Sequence, residues 1–331
     1  MCTAIVYQGA EHYFGRNLDL EYGYAEQVCI LPRNYPLHFR RMDCQPQHYA
    51  LIGMATVADG TPLFYEATNE KGLSMAGLNF PGNACYLPDV PGMDNIAPFE
   101  FIPWILGQCD SVDEAEALLG RINLVDIPFS DSLPLSPLHW MIADRRRSIV
   151  AEPMADGLRI YENPVGVLTN NPPFDFHLHH LSNYMNLTAD AATDRFSPDG
   201  QLQAYSNGMG ALGLPGDFSS SSRFIKAAFV KLNSPTADTE SESVHQFFHI
   251  LSSVAMPKGS VLVKGKFEIT RYSCCCNTCR GIYYYTTYGN SRITGIDMHN
   301  ENLDASEPIL FPLMTDSQIF MQNKDKDGIG P

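Results

Sequence analysis

The order in which strand-like and helix-like stretches follow one another constrains this chain more than any other feature. Its beginning reads as short strands. Ala4–Gln8 and Tyr13–Leu18 flank a turn at GAE, and Ala50–Val57, Pro62–Thr68 and Leu73–Asn79 are separated by ADG and NEKG turns. Helices are predicted at Pro98–Gln108 and then in SVDEAEALLGRI, where a capping serine precedes acidic residues and apolar positions spaced three and four apart. Two hairpins follow, Leu138–Ala143 with Ser148–Pro153 around DRRR, and Leu158–Glu162 with Val165–Thr169 around NP. Helices are expected again at Phe176–Met185, Ser219–Val230 and Val244–Val254, and strands at Lys266–Ser273, Gly281–Tyr288 and Arg292–Met298. Strands, helices, then strands without βαβ alternation predict an α+β fold. No internal repeat is visible. The Pro/Gly-rich segments 81–97 and 127–137 read as loops around a site, which leaves one domain over residues 1–321 and a polar, disordered tail at 322–331.

Charge and end sequences exclude several classes of function. With 37 acidic against 22 basic residues, the net charge of -15 repels polyanions, so nucleic acid is not an expected partner. The N-terminus has no basic segment followed by an apolar one, and no run of about 18 apolar residues occurs, so neither a secretory signal nor a membrane span is expected. A cytoplasmic location follows as the expectation, with the nine cysteines kept as thiols.

The residue that carries chemistry is Cys2. Methionine aminopeptidase removes Met1 when the second side chain is small. That would leave a thiol and a free α-amine on one residue. A model α-amine titrates at about 7.7–8 and a thiol at about 8.5, so the amine can take the thiol proton near neutrality. Nucleophile and base are then combined, as in N-terminal-nucleophile enzymes. The next segment, FGRNLDL, would return beside Cys2 in a hairpin. Arg16 there would favour thiolate, and Asp19 could accept a hydrogen bond from the amine. Residues three apart on a strand point to opposite faces, so a bend is expected between these two if both are to meet at one site.

MCT, FGRNLD, NEKGLSMAGLNFPGNA, VLTNNPPFDFH, LPGDFSSSSRFIKAAF and CCNT…GIYYYTTY stand in an order that resembles the choloylglycine hydrolases, which include bile salt hydrolases and penicillin V acylases. The resemblance runs from residue 1 to about 320. It implies a four-layer αββα sandwich of two antiparallel sheets, the N-terminal-nucleophile hydrolase fold, and a homotetramer. It implies Cys2 as nucleophile, with Arg16 and Asp19 supporting thiol and amine. Asn79 in AGLNF and Asn171 in TNNPPF, beside Asn170, would flank the reacting carbonyl, and Arg223 in SSSSRF would lie near the thiol. Attack on an amide develops an oxyanion, and donors held ready for it supply much of the rate. Asparagine at position 79, where penicillin V acylases tend to carry tyrosine, points to the amide bond of glycine- or taurine-conjugated bile salts, cleaved through an acyl thioester without a cofactor.

A steroid needs an apolar wall. Leu20, Tyr24, Phe64, Tyr65, Phe129 and Leu133 are candidates, with core packing the equal alternative for each. Penicillin V and N-acyl-homoserine lactones are the rival substrates. A different rival class is a metal- or redox-responsive protein built on Cys274, Cys275, Cys276 and Cys279, helped by the histidines of HLHH at 177–180 or by His245 and His249. The favoured reading has buried or edge-strand thiols, surface histidines and no metal.

Overall fold

The computed structural model describes residues 1–317 and 319–322. In chain order the elements are β1 (Cys2–Gln8), β2 (His12–Leu20), β3 (Gln27–Leu31), β4 (Leu51–Ala58), β5 (Thr61–Asn69), β6 (Ser74–Asn79), β7 (Asp94–Ile96), α1 (Phe101–Gln108), α2 (Val112–Leu119) and β8 (Ile122–Leu124). They continue with β9 (Leu138–Ala143), β10 (Ser148–Met154), β11 (Gly157–Glu162), β12 (Val167–Leu168), α3 (Phe174–His180), α4 (Ser220–Leu232), α5 (Glu240–Ser252), β13 (Val261–Val263), β14 (Lys266–Asn277), β15 (Ile282–Thr287), β16 (Thr294–Asp297) and β17 (Ile309–Pro312).

Two large antiparallel sheets carry the fold. One has the order β12-β1-β2-β14-β15-β16, with β13 paired to β14; the other runs β11-β10-β9-β6-β5-β4-β3-β17. Helices α4 and α5 cover the first sheet, and α1 packs on β4, β5 and β6 of the second. The expected αββα layering is therefore present. One cluster of buried apolar side chains fills the space between the sheets and continues under α4 and α5, with Ile5, Phe14, Met54, Met141, Phe224 and Phe247 among its members. A second lies beneath α1 and α2 and includes Phe101, Trp104, Trp140 and Ile142.

Local chemistry explains the elements that sequence located. Asp59 and Gly60 both adopt positive φ, +48° and +75°, between the paired residues Ala58 and Thr61, as a two-residue hairpin turn requires. Ser111 caps α2 by accepting from the Glu114 amide. Thr239 and Glu242 form a reciprocal capping box that opens α5 four residues earlier than the apolar pattern indicated.

One expected hairpin does not exist. β11 pairs with β10 in the eight-stranded sheet, whereas β12 pairs with β1 in the other. The NP segment therefore carries the chain from one sheet to the other. Two adjacent strand patterns show where strands lie and not with which strand each one pairs. The 176–185 helix is also divided, into α3 and a 3-10 turn over Leu181–Tyr184. β14 extends through the three successive cysteines to Asn277 in the interior of its sheet. Cys274, Cys275 and Cys276 are thus buried strand residues, and burial pushes all three thiols up. Apart from Gln322, the expected tail lies outside the described residues. Among the described residues no helix is long and apolar enough to cross a membrane.

Candidate active site

The β1–β2 hairpin pairs Cys2 with Leu18 and Ala4 with Arg16 in an unbroken register. Cross-strand partners share a face, so Arg16 lies on the Cys2 side of the sheet and Asp19 on the other. The expected bend in β2 is absent. The irregularity is instead a bulge in the neighbouring strand, between Thr270 and Tyr272. Arg16 and Asp19 thus approach the start of β1 from two sides.

Arg16 is fully buried and bridges the sheets. Its Nη1 donates to Gly77 O at 2.5 Å and Tyr65 O at 3.2 Å, and its Nε lies 3.7 Å from Glu66 Oε2. Burial alone would lower its pKa, but Cys2, Tyr272 and Glu66 together hold it above the ordinary arginine value. Glu66 accepts from the hydroxyls of Tyr272 at 2.8 Å and Tyr283 at 2.6 Å, and burial still raises its carboxyl. Asp19 Oδ1 accepts from Thr270 Oγ1 at 2.6 Å. Burial also raises Asp19, against the opposing pull of Arg223 and the chain-terminal ammonium. Arg16 Nη2 and Asp19 Oδ2 are buried without a hydrogen-bond partner among the described residues.

The position opposite Cys2 is decided by register. Ala4 pairs with Leu168 on β12, so two further steps set Asn170 beside Cys2. The Cys2 amide donates to Asn170 Oδ1 at 2.8 Å. Arg223, buried in the first turn of α4, donates to the same oxygen at 2.8 Å, to Cys2 O at 2.5 Å and to Thr3 Oγ1 at 2.6 Å. Burial lowers the Arg223 pKa, opposed by Asp19 and Cys2. With Oδ1 holding two donors, the Asn170 amide has one orientation, and its Nδ2 donates to Asn79 O at 2.7 Å. An amide nitrogen has two N–H groups, so one remains for a ligand.

Of the residues expected at the site, Arg223 touches Cys2 directly, Arg16 lies on the same face of the β1–β2 hairpin, Asp19 lies on the opposite face beside the start of β1, and Asn79 is linked to Cys2 through Asn170 by its backbone carbonyl. Asn171 instead donates from its Nδ2 to Pro81 O at 2.7 Å. Its neighbour Asn170 holds the position next to Cys2, and register was the missing signal. Met1 is also part of the site. Its amine donates to Asp19 O at 2.8 Å and pairs with the buried carboxylate of Glu268, and burial lowers the amine's pKa. Cys2 itself is 3% exposed.

The candidate wall is mixed. Leu20 and Tyr65 pack against the core cluster that contains Cys2, and Tyr65 and Thr56 join through their hydroxyls at 2.8 Å. Tyr24 is exposed, and its carbonyl accepts from Thr56 Oγ1. Phe64 packs against the other cluster, on the α1 side of its sheet. Phe129 meets Phe99 edge to face beneath the Arg40 guanidinium, and Leu133 closes a small turn with Ser130. Two surface cavities, of about 570 and 430 Å3, share Glu70 and Lys71 and contain none of the site residues.

Among the described residues no three His, Cys, Asp or Glu side chains come together as a metal site. His245 and His249 are exposed, but His177, expected at the surface, is fully buried. Its Nε2 lies 2.9 Å from Asn170 O.

Residues 2–311 match the linear amide C–N hydrolases, choloylglycine hydrolase family. A bile salt hydrolase/transferase of Lactiplantibacillus plantarum is 52% identical over 324 residues, covering 98% of this chain and all of the relative. One from Clostridium perfringens is 41% identical over 93% of this chain and 95% of the relative. The crystal structure of the C2A mutant of a conjugated bile acid hydrolase from Clostridium perfringens superposes with a TM-score of 0.90 at 38% identity, covering 98% of this chain and all of that one. A penicillin V acylase from Agrobacterium tumefaciens shares the fold, with a TM-score of 0.76 at 19% identity over 96% of this chain and 94% of that one.

Proposed function

The chain belongs to the choloylglycine hydrolase family of linear amide C–N hydrolases, and on that premise we propose that it cleaves glycine- and taurine-conjugated bile salts through Cys2. Removal of Met1 frees the Cys2 amine, which keeps Asn170 Oδ1 as acceptor. The amine takes the thiol proton while Sγ attacks the amide carbonyl. The second N–H of Asn170 Nδ2 and the Asn79 side chain receive the oxyanion, Asn170 filling the role that the resemblance gave to Asn171. The amine then gives its proton to the departing nitrogen, and glycine or taurine leaves a bile-acyl thioester on Cys2. Water adds to the thioester with help from the same amine. The free bile acid and the thiol are released.

The observation that carries the mechanism is the run of hydrogen bonds from Cys2 N to Asn170 Oδ1 to Arg223. Asn79 supports the choice of bile salts over penicillin V. The relatives named hydrolase/transferase support a second use of the thioester, in which an amine replaces water and a new amide forms as the thiol leaves. We assign the enzyme to the cytoplasm, a reading supported by nine free thiols, and to a homotetramer on family resemblance. Size-exclusion with light scattering tests the latter.

The deciding measurement is amine release from glycocholate, taurocholate and penicillin V, with protein whose intact mass lacks Met1. Faster release from either bile salt supports the assignment, and penicillin V ahead of both overturns it. Cys2→Ala is expected to abolish release while the fold persists, and appreciable turnover by that variant would refute the nucleophile.

A further inference from the structure

Two histidines outside the reacting group are buried against the segment that carries Asn170. His139, on β9, has Nε2 3.0 Å from Thr169 O and Nδ1 2.9 Å from Glu152 Oε1. His177, on α3, has Nε2 2.9 Å from Asn170 O. Both side chains are fully buried. The two rings therefore address consecutive carbonyls. Each ring also lies flat on a phenylalanine adjacent in sequence to a site residue. His139 stacks on Phe80, next to Asn79, at 4.3 Å and 4°; His177 stacks on Phe224, next to Arg223, at 4.8 Å and 24°.

The proton inventory is fixed by the partners. A backbone carbonyl can only accept, so Nε2 of each ring carries hydrogen. His177 Nδ1 has no partner among the described residues, and burial pushes that ring down to about 4, so near neutrality it is neutral with its single N–H on Nε2. His139 Nδ1 faces Glu152 Oε1. The Phe174 amide donates to both oxygens of Glu152, at 3.1 and 3.2 Å, which ties the pair to the start of α3.

We propose that His139 and His177 are positioning residues that clamp the Thr169 and Asn170 carbonyls, so that the Asn170 amide is presented to Cys2 N and Arg223 in one orientation. Neither ring touches substrate. The clamp joins β6, β9, α3 and α4 at one point, so that Asn79, Asn170 and Arg223 hold their mutual spacing. The inference rests on the reading of Cys2 and Asn170 given above.

The test compares His177→Phe with His177→Gln. Phenylalanine keeps the stack on Phe224 and removes the donor, whereas glutamine restores an N–H near the Nε2 position. His177→Phe is expected to lower kcat about 10- to 100-fold, the scale of a misplaced reacting group, with KM nearly unchanged. His177→Gln is expected to recover most of that loss. Crystal structures supply a readout independent of turnover: the 2.8 Å contact between Cys2 N and Asn170 Oδ1 should lengthen in His177→Phe and persist in His177→Gln. Unchanged kcat in a folded His177→Phe would overturn the clamp, and so would equal losses in both variants with the contact intact. If the parent chain releases no amine from bile salts or penicillin V, the functional reading fails by itself. The clamp is then judged on the contact alone: lengthening confined to His177→Phe supports it, and an unmoved contact refutes it.

Discussion

Replacing Asn170 with alanine would take away the acceptor of the Cys2 amide, the acceptor of Arg223 and the donor left for an oxyanion, all in one change. Steady-state kinetics on a bile salt should show kcat about 100-fold lower or worse. The same substitution at Asn171 removes only the bond to Pro81 O, and turnover should stay close to that of the parent chain. The paired measurement separates two neighbours that sequence alone cannot tell apart. Which residue of TNNPPF faces the nucleophile depends on how β12 slides along β1, and nothing within the motif records the slide. The types of residue at the site were legible, because thiol, arginine, aspartate and asparagine each have a stated task in amide cleavage. Their neighbours in space were not. His177 was expected at the surface and His139 drew no expectation, since what they contact is a pair of carbonyls supplied by another strand.

Elements whose signals are local were the readable ones. The ADG turn and the serine before α2 each follow from a few adjacent residues. The short strands β3 and β17 went unread; among the described residues β17 pairs only with β3, from the opposite end of the chain, and β3 also pairs with β4 across a long loop. The NP segment misled because a turn between two strands looks identical whether it closes a hairpin or crosses between sheets. The capping box of α5 offers a check on local reasoning. Thr239→Ala should cost about 1 kcal/mol in chemical denaturation, by orphaning the amide that Thr239 Oγ1 now satisfies. Equal stability would mean that the packing of α5 on β1, β2 and β14 overrides its cap.

Across the whole molecule, the two sheets meet through a buried charge as well as apolar contacts. Arg16→Met should destabilise by about 3–5 kcal/mol, because Glu66 would then be buried with only the tyrosine hydroxyls and Cys274 beside it. Adding Glu66→Gln to that variant should recover part of the loss in a double-mutant cycle. Stability should also fall in mild acid. Burial holds His12 and His177 at about 4, against an ordinary 6.5. Between those values the unfolded chain binds protons that the folded one refuses, so stability is full above pH 6.5 and declines as pH drops towards 4. Each ring contributes a slope of up to about 1.4 kcal/mol per pH unit. His12→Asn, which can keep the bond to Thr278, should flatten thermal midpoints across that range by one histidine's share.

The first strand begins at Cys2 between two neighbours, so Cys2 is enclosed, while Met321, among the last described residues, is 46% exposed. Anyone attaching this enzyme to a bead, a dye or a fusion partner should leave the start of the chain free. On the mechanism proposed for Cys2, a handle ahead of Met1 would block the freed amine and yield well-folded, inert protein until a protease trimmed it back to the cysteine.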